Sequence, residues 1–191
     1  MDFLRIKNKK MKNLLFLIIT LSFGNFVSAQ KYSTKTGKVT FEASVPLFED
    51  VFAQDESNIA ILNTDNGDFA SISTVKNFHF KVKLMEEHFN ESYAETAKYP
   101  KTTFKGKIVN FDKTKLTDTP QKYIIQGTLN FHGVDKTINS TAVIYSKDGK
   151  IYMKGGFIAK PADFKVTIPK MVTKKVAENV NVEYNYIMLK Q

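Results

Sequence analysis

The sequence predicts an all-β protein, a closed antiparallel barrel of about eight strands with a short helical lid. Three observations carry this. Apolar and polar residues alternate with period two from Val39 to the C-terminus, Asn-Gly and Asp-Gly pairs fall between alternating runs, and no long stretch has helical periodicity. Alternation of this kind makes one strand face apolar and the other wet, as an antiparallel sheet with one buried side requires.

Val39, Phe41, Ala43 and Val45 alternate with Lys38, Thr40, Glu42 and Ser44 in the first run. Residues 59–63 and 69–75 flank Asn66-Gly67, a hairpin signal because both turn positions of a two-residue loop take positive φ. Phe104, Gly106 and Ile108 share a face in the next strand, and Tyr123, Ile125, Gly127, Leu129 and Phe131 do so in the one after. Ile138, Ser140, Ala142 and Ile144 lead to a second turn at Asp148-Gly149, from which Ile151, Met153, Gly155 and Phe157 return. The last strand sets Val180, Val182, Tyr184, Tyr186 and Met188 against Asn179, Asn181, Glu183 and Asn185. About eight strands suffice for a closed barrel holding one small ligand, and closure removes unpaired edges. A β-sandwich is the competing architecture. Glycines 106, 127, 155 and 156 lie inside strands, where they relieve crowding or make room for a ligand.

Two segments break the alternation. Met85, Phe89, Tyr93 and Ala97 have i, i+4 spacing, which predicts a helix over 85–97 ended by Pro100. Residues 161–164 form a shorter helical turn with Pro161 at its first position.

The N-terminus carries Arg5, Lys7, Lys9, Lys10 and Lys12, then an apolar run over 14–23, then Val27-Ser28-Ala29. This order predicts a secretory signal over residues 1–29, with a run too short to span a bilayer, and a domain over 30–191 that works in the periplasm or outside the cell. The start is either Met1 or Met11, since the ten residues before Met11 add only a longer basic region. Removing the leader takes five of 28 basic residues and one of 19 acidic ones, so net charge falls from +9 to +5. The remaining lysines are spread along strands without a basic stripe, which argues against nucleic acid as a partner.

Catalytic and metal-binding patterns are sparse. The chain has no cysteine, and His79, His88 and His132 have no zinc-ligand spacing, so no cofactor or metal is expected. There is no nucleophile elbow, phosphate loop or dinucleotide fingerprint. Ser71, Ser73 and Ser140 read as ordinary surface hydroxyls, and Glu49-Asp50 and Glu86-Glu87 as solvated charge.

The segment LMEEHFNESYAETAKYPKTTFKG (84–106), read with Ser71-Ile72-Ser73-Thr74, Gly127-Thr128-Leu129 and Gly133-Val134-Asp135-Lys136, resembles the YceI-like proteins. The quoted elements are the 71–74 strand, the aromatic segment ending in Lys98-Tyr99-Pro100, the strand start at Thr103-Phe104-Lys105, the 127–129 strand and the 133–136 turn. The resemblance departs over 84–96, which is longer and more helix-like than the family's short loop. It implies an extended lipocalin-type barrel that binds a polyisoprenoid or fatty-acid-like lipid.

Taken with the aromatic residues, this resemblance makes Phe41, Phe78, Phe80, Met85, Phe89, Tyr93, Phe104, Ile125, Phe131, Phe157 and Phe164 the expected ligand-binding set. The expected function is non-catalytic carriage of an apolar, chain-like lipid. An enzyme using the same cavity and a protein-docking module are the rival readings. Transient membrane contact and a homodimer through the exposed lid edge are compatible with the carrier.

Overall fold

The computed structural model describes residues 30–191. The leader expected over 1–29 lies outside them. Among the described residues no helix is long and apolar enough to cross a membrane.

The chain forms β1 (Lys31–Glu42), β2 (Phe52–Asn63), β3 (Asp68–Thr74), β4 (His79–Phe80), a helix α1 (Lys83–His88), β5 (Lys101–Ile108), β6 (Gln121–Phe131), β7 (Val134–Lys147), β8 (Lys150–Ala159) and β9 (Val180–Lys190). The strands run in the order β1-β9-β8-β7-β6-β5-β3-β2, and β1 also pairs with β2, which closes an antiparallel barrel of eight strands. The two-residue β4 adds to the rim, pairing with β2 at Ala53 and Gln54.

Both β1 and β2 begin earlier than the alternation suggested. Lys31 pairs with Asn63, and Phe52 with Glu42. The pattern is hidden by register shifts between Thr34 and Gly37 and between Gly37 and Val39, and by the polar run Asp55, Glu56 and Ser57. The Asp148-Gly149 turn has both residues at positive φ, as expected. The first hairpin instead has a longer loop, in which Gly67 alone is left-handed. The turn between β6 and β7 is His132-Gly133, both at positive φ; Val134 already pairs with Phe131.

The register divides the barrel into two ends. At one end lie the 64–67, 109–120 and 148–149 connections, and Leu62, Phe69, Ile108, Ile125, Ile144, Ile151, Met153 and Met188 fill the interior. This apolar plug is the hydrophobic core of the domain. At the other end the connections over 43–51, 75–100 and 160–179 surround an opening.

Strand glycines make room for rings. Gly106 and Gly127 face each other across β5 and β6, and a Cβ on Gly106 would lie 2.9 Å from the Phe104 ring and 2.8 Å from the Gly127 Cα. A Cβ on Gly155 would meet the Tyr184 hydroxyl at 2.5 Å. The space gained is occupied by inward aromatic side chains.

The lid departs from the expected helix. α1 ends at His88 and a single π-helical turn, Phe89–Tyr93, follows, with the Ala94 N–H donating to the Phe89 carbonyl at 2.7 Å. Asn90 causes the break: its side chain donates to the Glu86 carbonyl at 2.9 Å, and its own carbonyl accepts from the Thr96 N–H at 2.8 Å. Glu95 then takes φ +43° and turns the chain away. The widened turn rotates the following residues, so Ala94 is buried and Ala97 exposed.

A lidded cavity in the open end of the barrel

A cavity of about 530 Å³ fills the open half of the barrel, between the plug and the lid. Its size falls in the range of sites that enclose a small molecule. Strands set its wall: Phe41 from β1, Phe104 from β5, Phe131 from β6, Phe157 from β8 and Val182 from β9. Met85, Phe89 and Tyr93 from the lid and Phe164 from the 161–164 turn close it. Phe78 and Phe80 complete the expected group at the rim. Ile125 does not join them. It lies two positions deeper than Gly127 on β6, fully inside the plug, so it serves the core and not the cavity.

Aromatic contacts hold the lid to the wall. The ring of Phe41 lies 5.3 Å from that of Phe89, 5.4 Å from Phe78 and 5.6 Å from Phe80, and Phe80 and Phe89 are 5.2 Å apart. These tilted and edge-on pairs are the favourable geometries for aromatic packing. Phe131 meets Phe164 edge-on at 5.8 Å on the opposite side.

A six-residue helix has little stability of its own, and α1 has no side-chain N-cap. Glu86 supplies an anchor. Buried against β4, it accepts from the Lys83 ammonium at 2.6 Å and the Phe80 N–H at 3.1 Å, with the His79 ring 3.3 Å away. The Lys83 bond, aided by the Phe80 and His79 contacts, holds its carboxyl below the usual glutamate value against the opposing effect of burial. Glu86 is therefore not solvated charge, as its sequence neighbourhood suggested. The carboxylate carries a structural bond at the point where the lid meets the barrel.

A second anchor is His132. Its ring, almost wholly covered, contacts Glu95 at the end of the lid and the Phe164 carbonyl, and Tyr99 packs on it at 4.5 Å. The other two histidines are elsewhere: His79 beside Glu86, and His88 exposed at the cavity mouth.

The floor of the cavity differs from its wall. Asn58, Ser71, Ser73, Ser140, Tyr184 and Tyr186 all face it from β2, β3, β7 and β9. Ser140 donates to the Gly156 carbonyl at 2.9 Å and lies 2.7 Å from the Tyr184 hydroxyl; Asn58 donates to Ser73 at 2.7 Å. Burial pushes the Tyr184 phenol up to about 12 despite its bond to Ser140, and pushes Tyr186 higher still. Both stay neutral hydroxyls at ordinary pH. These serines face the interior and are not the surface hydroxyls expected from the sequence. Parity held the contrary signal, because Ser71 and Ser73 are in phase with Phe69, and Ser140 with Ala142 and Ile144.

The YceI-like domain model matches residues 20–187 of this chain. The chain belongs to the YceI-like family. Among solved structures, a polyisoprenoid binding domain from Saccharophagus degradans, implicated in plant cell wall breakdown, superposes with a TM-score of 0.71 at 14% identity, covering 85% of this chain and 99% of its own. BcnA of Burkholderia cenocepacia gives 0.66 at 17% identity, with 80% and 95% covered. A Campylobacter jejuni YceI protein gives 0.51 at 22%, with 69% and 80% covered. No curated protein matches the chain. At these identities the structures establish a shared fold. This YceI-like chain keeps that fold while building its lid from α1 and a π-helical turn.

Proposed function

We propose that this protein binds and carries a long apolar molecule, a polyisoprenoid or fatty-acid-like lipid, in the lidded cavity, without chemical conversion. The observation that carries the reading is the aromatic cavity itself: Phe41, Phe89, Phe104, Phe131 and Phe157 wall a space of about 530 Å³ that is closed at one end by a packed core and at the other by a lid. Burying hydrocarbon contributes ~0.8 kcal/mol per methylene. A few isoprene units therefore give roughly 10 kcal/mol before ordering costs, enough for micromolar retention or better. The Saccharophagus relative, described as polyisoprenoid-binding, supports the ligand class.

The secretory pattern over residues 1–29 supports work outside the cytoplasm. Exposed Leu47, Phe48, Leu84 and Met171 near the mouth support transient contact with a membrane during loading. Carriage needs no acid, base or nucleophile. The test is titration with a fluorescent fatty acid and a fluorescent isoprenoid. Wild type should bind one or both in the micromolar range, and Phe89→Asp should lose that binding while keeping a cooperative melt. Absence of binding by folded wild type would contradict the reading.

A further inference from the structure

The polar floor is costly unless something uses it. Asn58, Ser73 and Ser140 are at most 3% exposed, at the bottom of a cavity whose wall is phenylalanine. Buried polar groups destabilise a fold when they lack partners. One end of the Asn58 amide has none among the described residues: Nδ2 donates to Ser73, and Oδ1 meets no donor. Turning the amide over exchanges the two ends and still leaves one unmet. An apolar residue would fill the same position without that cost.

The floor also has a definite chemical character. Its groups are an amide and neutral hydroxyls, each able to give or accept a hydrogen bond. Among the described residues no lysine or arginine lines it; Lys175, at the cavity wall, is exposed on the 160–179 connection at the mouth. A carboxylate or phosphate placed at the floor would be desolvated with no cation among the described residues to meet it.

We propose that Asn58, Ser71, Ser73, Ser140 and Tyr184 form a subsite for a neutral hydroxyl at the end of the cargo, which enters the barrel polar end first and leaves its hydrocarbon against the aromatic wall and lid. This rests on the carriage reading and narrows it to long-chain alcohols, prenols among them, in preference to acids or diphosphates. A hydroxyl suits the floor because it satisfies the free end of Asn58 whichever way the amide is turned. The lid then closes over the hydrocarbon tail, consistent with the aromatic character of Phe89 and Tyr93.

The test is displacement of bound N-phenylnaphthylamine by geranylgeraniol, by the hydrocarbon of the same skeleton and by geranylgeranyl diphosphate. In wild type the alcohol should bind at least as tightly as the hydrocarbon, although it is costlier to dehydrate, and tighter than the diphosphate. Ser140→Ala and Asn58→Leu should each weaken the alcohol about tenfold relative to the hydrocarbon measured on the same variant, the scale of one buried neutral hydrogen bond. Melting curves check that the variants fold, and the wild-type comparison decides the matter if they do not. A hydrocarbon that beats the alcohol about tenfold in wild type, or a diphosphate that binds tightest and is lost in Lys175→Gln, would overturn polar-end-first binding while leaving carriage intact. If the naphthylamine and all three lipids fail to bind, carriage itself falls and this subsite with it.

Discussion

His132 Nε2 lies 2.6 Å from the Glu95 carboxylate, joining the turn between β6 and β7 to the end of the lid. The other ring nitrogen lies 3.1 Å from the Phe164 carbonyl, so one side chain reaches both segments that cover the cavity. Both partners are acceptors, and each bond forms only when the facing nitrogen carries a proton. The geometry of His132 is costly in itself, with φ at +50°, and Glu95 is held at +43°.

Cutting this link should loosen the cover and spare the barrel. In His132→Ala, amide exchange over residues 83–98 should accelerate while the β6 and β9 amides keep their protection. A double-mutant cycle with Glu95→Ala should return a coupling of about 1 kcal/mol, modest because the Glu95 side chain is 44% exposed. Uniform loss of protection through the barrel would show that the link is part of the core.

Wall and plug should answer differently to substitution. Ile125→Ala or Met188→Ala removes fully buried atoms from the plug and should cost about 2–5 kcal/mol in denaturant unfolding. Phe89→Asp faces the cavity from a half-buried position and should cost less, because the lid swings open to hydrate the charge. Binding should show the reverse order, lost in Phe89→Asp and kept in Ile125→Ala.

Acid should release the Glu86 anchor. Its carboxyl is held below the ordinary value of 4.5, so the bond contributes fully above about pH 4.5 and is lost as pH falls through the lower folded value. The difference in stability between wild type and Glu86→Gln should be greatest at neutral pH and vanish well below pH 4.5. A difference that stays constant with pH would mean that the Lys83 and Phe80 contacts do not depend on the charge.

Strand glycines should resist even a methyl group. Gly106→Ala drives a Cβ toward the Phe104 ring and the Gly127 backbone, and Gly155→Ala drives one into the Tyr184 hydroxyl. Overpacking of this kind costs about 1–3 kcal/mol in a chemical melt. Gly149→Ala meets no neighbouring atom, and its cost comes from its φ of +72° alone.

The barrel was legible because strand parity is a local property. Phe104, Leu129, Phe157 and Tyr184 reveal their side of the sheet by their neighbours two residues away. Depth along the strand is not local, which is why Ile125 and Phe131, on one face of β6, serve plug and cavity respectively. The lid forms where expected, but its helix is shorter for a related reason: i, i+4 spacing marks Ala97 as inward, whereas the Asn90 side chain and the turn that follows make bonds that only the folded turn shows. Glu86 and the floor serines were misread because their partners, Phe80, Gly156 and Tyr184, are distant in the chain or joined only by folding.

Mass measurement of the intact protein, made in cells with their membranes and purified without detergent, tests carriage most directly. The expected spectrum has a population heavier than the mature chain by one long-chain lipid, which dissociates on activation and is missing from Phe89→Asp. Wild type that is folded, carries no added mass, and acquires none after incubation with isoprenoid or fatty-acid-like lipids would contradict it.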